Sequence, residues 1–582
     1  MTTTRSGFTK LAAVCIAILL GAVVWELGWP LTRAEHEWSR LIAAVATLGH
    51  LTGILGSYFR KEINRPSLRL LIFQIISCLM IFLLIAREQQ EAGYMRFTEL
   101  SRLVITAGLI AIPTLMSLTR IFEWLVGKQK KGRPLMAPAM QFVASLGVVI
   151  LAGTGLLLLP NSTYPGITLS FTDALFTSTS AVCVTGLNAV DFAHTFTPLG
   201  EMFTLALIQI GGFGIMTFAY FVAMVAGQGF SLRDRVLLTD LLDEDNLGAV
   251  VSFITPIVVS TLFIELCGAV LLYFSWEGKD INLMGEPLWW HSLFHSVSAF
   301  CNAGFSTFPM NLMEPGIRLC YSGQAVIMAL IVCGGLGFGI YKEINSRLAN
   351  RFFSKHRRLH MQWTPYFKLV MISTGILLAG GALAIFAVSS PHAAEPLGEH
   401  LWICLFDSVT ARTAGFNISD YGRYLPAASL IMCGLMMVGG SPGGTAGGMR
   451  TTTCAIAGAE ILRILRGRDH VEFFRRRIDQ RTVARCVITV VVSCAWIGCF
   501  TVLICALEPS MSSLDIFFEN CSAFATVGVS RGITPDLSGP SKYLLIVNML
   551  AGRVGLFAFL IALAGTPTPR HYRYPSVKIP LT

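Results

Sequence analysis

Long apolar runs alternate with short polar segments along most of the chain, and this pattern predicts helices that cross a membrane. A run needs ~20 mainly apolar residues to span the hydrocarbon core of a bilayer, and about twelve runs come near that length. They lie at residues 11–28, 41–59, 68–86, 103–125, 138–159, 200–226, 250–274, 322–341, 366–388, 427–440, 483–507 and 543–565. Hydrophobic residues make up 54% of the chain and charged residues 13%, which is typical of an integral membrane protein and excludes an ordinary soluble domain.

The charged residues are unevenly distributed and predict the orientation of the chain in the membrane. Basic residues cluster in alternate loops, at residues 60–69, 128–133, 342–358 and 463–477, whereas residues 160–200 contain no Lys or Arg. By the positive-inside rule, the basic loops and both termini are expected in the cytoplasm. The net charge of +10 is therefore explained by the orientation of the chain in the membrane. Acidic lipid headgroups are expected as a secondary partner of the basic loops, and nucleic acid is not expected as a partner. The first apolar run leads straight into further runs without a cleavage site, so we interpret it as a retained helix.

One short pattern occurs four times after residue 135, which indicates internal repetition. Each copy begins with Phe, continues through a Ser/Thr-Ala pair and ends in Gly. The copies are Phe176–Gly186, Phe294–Gly304, Phe406–Gly415 and Phe518–Gly528, of which the third is one residue shorter and contains Arg412. A short apolar stretch precedes each glycine, and it is too short to span the membrane. Each copy therefore predicts a unit of helix, re-entrant pore helix, glycine turn and second helix.

These units predict an all-α integral membrane protein in which four helix/pore-loop/helix repeats surround a pore with pseudo-fourfold symmetry. An N-terminal transmembrane extension of about four further helices is expected at residues 1–134. Units 1 to 4 are assigned to residues 135–230, 245–350, 362–468 and 480–582, the last with a short cytoplasmic tail. Irregular backbone at membrane depth is tolerated only where it is buried in protein or lines a cavity, so the four glycine turns are expected at a common axis.

The four glycines are the candidate ion-binding positions. Glycine adopts the positive φ angles that turn successive carbonyl oxygens toward an axis, and a ring of neutral oxygens can replace the hydration shell of K⁺. The predicted selectivity filter consists of Val184, Thr185, Gly186, Asn302, Ala303, Gly304, Thr413, Ala414, Gly415, Thr526, Val527 and Gly528. Glycines in membrane helices also serve as close-packing points, which is the alternative at any single position. Matching positions in four repeats favour the filter.

A second glycine-rich segment interrupts the second helix of unit 3. Gly and Pro both disfavour helix, so the segment predicts a flexible plug in mid-membrane, with a cytoplasmic linker as the alternative. The plug consists of Gly439, Gly440, Ser441, Pro442, Gly443, Gly444, Thr445, Ala446, Gly447 and Gly448. Residues 443–448 also approach a nucleotide-binding P-loop, but Met449 occupies the position of the required lysine, which excludes nucleotide binding there.

Two arginines lie in surroundings where an ionised side chain needs a partner. Arg553 lies well inside an apolar run, where such a group is costly and usually faces a cavity. We expect it to point into the pore, where it would raise the barrier for cations or pair with a carbonyl or carboxylate. The alternative is an arginine that snorkels from a helix end. Arg412 is expected to brace a pore-helix carboxylate, such as Asp407 or Glu519, rather than to bind an ion.

Several segments resemble the Trk/Ktr/HKT superfamily of potassium transporters, and most closely its Ktr-type membrane subunits. The matching segments are Thr177–Leu187, Arg412–Asn417, Gly439–Thr453, Ser522–Ser538, Ala551–Gly555 and Arg573–Pro575. The resemblance implies K⁺ uptake through the four loops, with Na⁺ as a further candidate ion, and gives the plug the role of a gate under the filter. It also implies a homodimer in the cell membrane with a cytosolic nucleotide-binding regulatory subunit, and no organic cofactor. The N-terminal extension lies outside the resemblance.

Other functional classes find less support in the sequence. No helix carries the regular row of arginines that a voltage sensor requires, and no metalloprotease or nucleophile-elbow pattern indicates an enzyme. The fifteen cysteines form no C-x-x-C pair and mostly lie in apolar runs, so buried free thiols are expected rather than a metal site or disulfides. The remaining alternatives are a non-selective or voltage-independent cation channel and a receptor whose pore fold does not conduct.

Overall fold

The computed structural model of the protein describes residues 138–214, 250–353, 363–389 and 396–564, together with scattered residues between positions 14 and 52. Nearly all regular structure in this part of the chain is helical, which confirms the predicted helical class. The predicted N-terminal extension and the cytoplasmic tail lie almost entirely outside the described residues.

Units 1 and 2 each contain a first helix, a shorter helix that ends just before the glycine turn, and a second apolar helix. Unit 1 comprises α1 (Pro138–Leu157), α2 (Phe171–Val182), the short α3 (Phe192–Thr195) and α4 (Pro198–Phe213). Unit 2 comprises α5 (Val250–Trp276), α6 (Leu288–Cys301), the short α7 (Pro315–Arg318), α8 (Tyr321–Leu336) and α9 (Phe338–Phe353). Single 3₁₀ turns lie at Pro160–Ser162 and Asn311–Met313.

Units 3 and 4 repeat this order. Unit 3 comprises α10 (Pro365–Val388), α11 (Leu397–Thr410), a 3₁₀ turn (Tyr421–Arg423), α12 (Pro426–Met437) and α13 (Thr451–Leu465). Unit 4 comprises α14 (Gln480–Leu507), α15 (Ser513–Ala525), α16 (Gly539–Val554) and α17 (Leu556–Ala564). We refer to α2, α6, α11 and α15 as the loop helices, and to the segment from the end of each to its glycine as a glycine loop.

Polar caps and prolines explain where several helices begin. The Ser170 hydroxyl accepts a hydrogen bond from the Asp173 N–H at 3.1 Å at the start of α2. The Thr364 hydroxyl accepts one from the Phe367 N–H at 3.1 Å at the start of α10. Such bonds satisfy N–H groups that have no partner within the helix. Pro opens α4, α10 and α12, where its missing N–H removes no helical bond.

A single glycine with positive φ ends or bends the second helix of three units. Gly214 follows α4 with a φ of 74°, Gly337 separates α8 from α9 with 86°, and Gly555 separates α16 from α17 with 90°. At Gly337 the helix bends by 94°. The predicted helix continuity across runs 322–341 and 543–565 is therefore wrong. Hydropathy alone does not register a backbone angle that glycine adopts at little cost.

The helices of successive units pack in a closed order. Each first helix packs on its own loop helix: α1 on α2, α5 on α6, α10 on α11 and α14 on α15. Each second helix packs on the loop helix of the next unit: α4 on α6, α8 on α11 and α12 on α15. Helix α16 of unit 4 packs on α2 of unit 1, which closes the circle. Longer helices therefore enclose every loop helix.

The side chains are distributed as expected for a bundle with a buried centre and an apolar exterior. The Phe that opens each repeat is at most 1% exposed, at positions 176, 294, 406 and 518. In contrast, α5 exposes large apolar side chains in its described part from residue 257 onward, including Phe263. Among the described residues, α5, α10 and α14 are long and apolar enough to cross a membrane, and the bent pair α8–α9 is a fourth candidate. An apolar exterior of this kind suits a bilayer.

A short antiparallel ribbon after α13 is a departure from the all-helical prediction. Strand β1 (Glu472–Phe473) pairs with β2 (Arg476–Arg477). Phe474 and Arg475 form the turn, and their φ angles of 50° and 64° are those of a two-residue hairpin turn with positive φ at both positions. The segment has no alternating apolar pattern, so nothing in its sequence predicted a strand.

Candidate functional site

The four predicted filter glycines lie side by side in one ring. Their φ angles are all positive, at 90° for Gly186, 70° for Gly304, 81° for Gly415 and 94° for Gly528. A Cβ atom built on Gly186 would lie 3.1 Å from the Cα of Gly304, and one on Gly304 would lie 2.6 Å from the Cα of Gly415. A Cβ on Gly415 would lie 3.4 Å from the Cα of Gly528, and one on Gly528 would lie 2.9 Å from the Cα of Gly186. The contacts thus pass through all four units and return to the first.

A main-chain oxygen from a neighbouring unit lies against each ring glycine. A Cβ atom on any of the four glycines would come within 2.7 Å of such a carbonyl oxygen. The oxygens belong to the residues directly before the glycines, which are Thr185, Ala303, Ala414 and Val527. Non-bonded heavy atoms pack best at ~3.5–4.0 Å, so a side chain at any ring position would displace main-chain oxygen. The ring is therefore compatible only with glycine.

Each loop helix turns into its glycine loop through one non-glycine residue with positive φ. These residues are Val184, Asn302, Thr413 and Thr526, with φ angles of 57°, 60°, 71° and 51°. All four occupy the second position before the ring glycine. A left-handed conformation costs a residue with a side chain ~1–2 kcal/mol, so neighbouring groups must hold it in place. The four predicted filter segments therefore share one strained backbone path.

The hydroxyl of each Ser/Thr-Ala pair fastens the glycine loop to its loop helix. In units 1 and 4, the hydroxyls of Ser180 and Ser522 accept hydrogen bonds from the N–H of the ring glycine, at 3.0 Å and 3.1 Å. In units 2 and 3, the hydroxyls of Ser298 and Thr410 donate to the carbonyl of the Phe after the glycine, at 2.8 Å and 2.6 Å. The repeated Ser/Thr thus stabilises the turn in every unit.

Unit 3 reaches the ring with one residue fewer. The Ala414 N–H donates to the carbonyl oxygen of Thr410, four positions earlier, at 3.0 Å. At the matching place in unit 4, the Val527 N–H donates to the carbonyl oxygen of Ser522, five positions earlier, at 2.9 Å. The turn in unit 3 is therefore tighter, and its glycine still joins the ring.

Three hydroxyl oxygens in the glycine loops have no hydrogen-bond partner within the described part of the chain. They are the Oγ1 atoms of Thr185, Thr413 and Thr526, whose side chains are fully buried. Buried polar atoms normally have a partner, so these hydroxyls could serve an ion or a water molecule. With the carbonyl oxygens of the ring they form a set of uncharged oxygen ligands, which is the kind that alkali cations prefer.

The chain that follows the ring glycines lines a cavity of about 380 Å³. Three ring glycines form part of its wall, and its polar side chains include Asn188, Asp191, Asn417 and Asp420. Among the described residues that line it, none is Lys or Arg. Of the two lining carboxylates, Asp420 forms an ion pair with Arg423 at 3.1 Å, and the other carboxylate favours cations in the cavity. We refer to this cavity as the vestibule.

The predicted plug lies against the glycine loop of unit 4. A Cβ atom on Gly447 would lie 2.0 Å from the Oγ1 of Thr526, and one on Gly448 would lie 3.1 Å from the Cα of Ala525. The missing side chains of these two glycines therefore allow the plug to approach the end of α15. This contact joins the predicted gate residues 439–448 to the predicted filter.

Hydrogen bonds also attach the plug to unit 2. The Ser441 N–H donates to the carbonyl of Gly335 at 3.0 Å, and the carbonyl of Gly443 accepts from the N–H of Phe338 at 3.0 Å. The Thr445 hydroxyl donates to the carbonyl of Phe300, near the end of α6, at 3.3 Å. The plug thus lies between units 2 and 4, where main-chain groups and the Thr445 hydroxyl hold it.

Arg553 connects the plug to unit 1. From the last turn of α16, its guanidinium donates to the carbonyl oxygens of Thr445 in the plug and Gly211 in α4. Arg450, two residues after the plug, donates to the carbonyl of Ala446. Arg553 therefore pairs with main-chain carbonyls, one of the two kinds of partner that the sequence suggested.

The expected role of Arg412 as a brace for Asp407 or Glu519 is wrong. Its Nη2 donates to the carbonyl oxygen of Gly439, at the start of the plug, at 3.5 Å. Hydroxyl groups surround Asp407 instead, and hydroxyl and main-chain N–H groups surround Glu519. Arg412 follows the last turn of α11, one and a half helical turns beyond Asp407, so the two side chains leave the helix in different directions.

The backbone breaks of units 1, 2 and 4, and the glycines that accompany them, were not predicted from the sequence. Gly211, Gly334 and Gly552 each precede a break by three residues. A Cβ atom at these positions would lie 2.2, 1.8 and 1.7 Å from a main-chain oxygen near the end of a loop helix. The repeated Gly-x-x-Gly pattern at 211–214, 334–337 and 552–555 was a signal that an alignment of the four units would have revealed.

Comparisons with known proteins agree with this architecture. The sequence profile of the TrkH family, described as a cation transport protein, matches residues 105–574. The chain is 34% identical over 446 residues to the Ktr system potassium uptake protein B of Bacillus subtilis, covering 74% of this chain and 94% of the relative. It is 32% identical over 466 residues to the potassium/sodium uptake protein NtpJ of Enterococcus hirae, covering 78% and 99%.

A solved structure shares the fold. The crystal structure of the potassium transporter TrkH from Vibrio parahaemolyticus superposes with a TM-score of 0.60 and covers 85% of this chain and 97% of its own. At 17% identity, this likeness concerns the fold alone. The family profile covers most of the chain, and the two relatives match it over nearly their whole length. The chain therefore belongs to the TrkH family of cation transport proteins.

Proposed function

We propose that the chain is the membrane subunit of a potassium uptake transporter, in which K⁺ passes through the ring of four glycines. The observation that carries this proposal is the closed ring, in which a carbonyl oxygen from a neighbouring unit lies against each glycine. A dehydrated K⁺ needs several neutral oxygens at once, and such a ring supplies them. The names of the two relatives support potassium as the transported ion.

In this proposal, the four units surround a pseudo-fourfold pore and the loop helices are its pore helices. The closed packing order of the units supports this arrangement. The filter segments are residues 184–186, 302–304, 413–415 and 526–528, and the unpartnered hydroxyls of Thr185, Thr413 and Thr526 add oxygen ligands. About four further spanning helices precede the pore in residues 1–134.

The plug and Arg553 form the gate in this proposal. The plug contacts the glycine loop of unit 4 and the helix break of unit 2, so it occupies the space beside the filter. Arg553 adds a positive charge that opposes cation passage and holds the plug through Thr445. Opening then requires the plug to leave its main-chain partners, which flexible glycine-rich backbone permits.

The transporter is proposed to work as a homodimer in the cell membrane with a cytosolic nucleotide-binding regulatory subunit. The Ktr system to which one relative belongs supports a separate regulator. Both termini and the basic loops would face the cytoplasm, where acidic lipids attract them. The potassium/sodium name of the other relative makes Na⁺ the second candidate ion.

Uptake of radioactive rubidium into liposomes that contain the purified chain tests the proposal. We expect uptake that K⁺ inhibits strongly and that Na⁺ inhibits weakly, and a comparison with and without Na⁺ reports coupling. Equal inhibition by both ions would indicate the alternative, a non-selective cation channel. Absence of rubidium uptake with every nucleotide-loaded regulator would overturn the proposal and favour a receptor with a non-conducting pore fold.

A further inference from the structure

One position behind the glycine ring differs in charge among the four units. It is the residue directly after the repeated Phe of each loop helix, and its occupants are Thr177, His295, Asp407 and Glu519. All four are at most 1% exposed. Two of the four matching positions therefore hold a buried carboxyl group, and both belong to the second half of the chain.

Asp407 in unit 3 is surrounded by hydroxyl donors. The Tyr421 hydroxyl donates to its Oδ1 at 2.9 Å, the Tyr424 hydroxyl donates to its Oδ2, and the Ser419 hydroxyl lies 3.5 Å from Oδ1. A carboxylate only accepts hydrogen bonds, whereas a protonated carboxyl needs an acceptor for its own O–H. An environment made of donors therefore suits the ionised form of Asp407.

Glu519 in unit 4 has a donor shell of the same kind. Its Oε1 accepts from the Ser530 hydroxyl at 2.5 Å and from the Arg531 N–H at 2.8 Å, and its Oε2 accepts from the Thr534 hydroxyl at 2.9 Å. All three donors come from the segment that follows ring glycine 528. The two carboxylates thus hold the chain that leaves the ring in units 3 and 4.

The nearest basic side chain does not neutralise Glu519. Arg531 gives Glu519 only its main-chain N–H, because its guanidinium donates to Asp515 at 2.5 Å, to Ser429 at 2.6 Å and to main-chain carbonyls. Arg412, the basic residue nearest Asp407 in sequence, donates to the plug. Among the described residues, these two guanidinium groups therefore donate to other partners than Asp407 and Glu519.

The matching residues of units 1 and 2 are neutral. The Thr177 hydroxyl carries no charge. The Nδ1 of His295 lies 2.7 Å from the His291 carbonyl oxygen, and its Nε2 lies 2.9 Å from the Ser306 hydroxyl. A neutral imidazole can donate to that carbonyl and accept from that hydroxyl, so this buried ring needs no charge to satisfy both. The difference at this one position therefore separates units 3 and 4 from units 1 and 2.

We propose that Asp407 and Glu519 set the affinity of the outer end of the filter for cations, by placing fixed negative charge one side chain away from the ion. Tyr421 and Ser530, which donate to the two carboxylates, also line the vestibule, so the carboxylates are second-layer groups rather than ligands. Coulomb energy falls only as the inverse of distance and is larger in a low dielectric, so such a charge can act on an ion without touching it. The inference rests on the proposed function and names the residues that tune it.

The test uses neutral variants of nearly the same shape, Asp407→Asn and Glu519→Gln, in the full-length protein in liposomes. Rubidium uptake gives the half-saturating concentration, and Ba²⁺, a divalent ion of similar size to K⁺, serves as a competing probe. Each variant should raise the half-saturating rubidium concentration about fivefold and the inhibitory Ba²⁺ concentration about 25-fold, because Coulomb energy scales with ion charge. Glu277→Gln, which removes an exposed carboxylate after α5, should change neither value.

The valence dependence separates an electrostatic role from a structural one. A distorted filter would lower the melting temperature or the maximal rate. The factor by which the Ba²⁺ concentration changes would then not be the square of the factor for Rb⁺. If wild-type protein transports rubidium but both neutral variants keep its half-saturating Rb⁺ concentration and its inhibitory Ba²⁺ concentration, the electrostatic inference fails. The proposed transport function then still stands. If wild-type protein transports nothing, the proposed function itself has failed.

Discussion

Substitution of one ring glycine would show whether the ring distinguishes between ions. In Gly528→Ala, the new Cβ would lie 2.1 Å from the carbonyl oxygen of Thr185 and 2.9 Å from the Cα of Gly186. Favourable non-bonded distances are ~3.5 Å, so the Thr185 oxygen must move by about 1.4 Å. The φ of 94° at this position adds further strain for any residue that has a Cβ atom.

An oxygen displaced by this much no longer lies at the same distance from the ion as the other ring oxygens. The preference for K⁺ over Na⁺ should therefore decrease. A filter discriminates by matching several oxygens to one dehydrated ion at once. Loss of one match should lower the preference for K⁺ over Na⁺ about tenfold, which corresponds to ~1.4 kcal/mol. We expect Gly528→Ser to act in the same direction, because its Cβ meets the same oxygen.

The measurement is rubidium uptake in liposomes with K⁺ or Na⁺ as competitor, at several concentrations of each. Gly498→Ala is the matched control, because a Cβ at this helical glycine of α14 would meet no atom within 4 Å. The control should retain wild-type preference. A Gly528→Ala protein that elutes and melts like wild type and still prefers K⁺ to the same degree would refute the assignment of the ring as the filter.

Three further changes probe the gate and the outer surface. Deletion of residues 443–448 should increase rubidium flux by removing the plug, and an equal or lower flux in a normally folded protein would count against the gate. Arg553→Gln should also increase flux, since it removes a positive charge beside the pathway; an unchanged rate would argue that the arginine is only structural. Hydrogen bonding from Ser538 and Ser541 holds the pKa of Glu508 below its ordinary value. A carboxyl group with a lowered pKa in the folded state stabilises the protein above its unfolded pKa, and this stabilisation is lost as the pH falls. Glu508→Gln should therefore have a lower melting temperature than wild type at pH 7 and the same melting temperature well below pH ~4. Identical melting at pH 7 would contradict this.

The glycine positions of the ring could be predicted from the sequence because the required backbone conformation is available to only one residue type. Positive φ next to a neighbouring main chain admits only glycine, so Gly186 and its three counterparts recur at nearly fixed distance from a repeated Phe. Helix positions followed from apolar run length in the same direct way, as α10 and α14 show. Features that depend on one residue type at one position can therefore be predicted from the sequence alone.

Sequence-based prediction failed for the direction of a side chain and for the bend of a helix. The sequence suggested two carboxylates of the predicted pore helices as partners of Arg412, but its side chain donates to Gly439 of the plug, and charge alone could not predict that direction. The break at Gly337 lies within an apolar run whose hydropathy hides it. The comparison of Gly-x-x-Gly segments among the units would have recovered the breaks, whereas the direction of Arg412 depends on how the helices pack.

The differences among the units explain how one chain can combine a symmetric ring with the proposed asymmetric gate. Four glycines and four hydroxyl anchors repeat with little variation, because a ring of oxygens fails if one member moves. In the described residues, the plug lies in unit 3, the arginine that holds it lies in unit 4, and Asp407 and Glu519 lie in these two units. A tetramer of identical subunits would carry every such feature four times, with four plugs competing for one space. Placement of the four units in one chain would let the second half carry the proposed gate, Asp407 and Glu519, while all four units complete the ring.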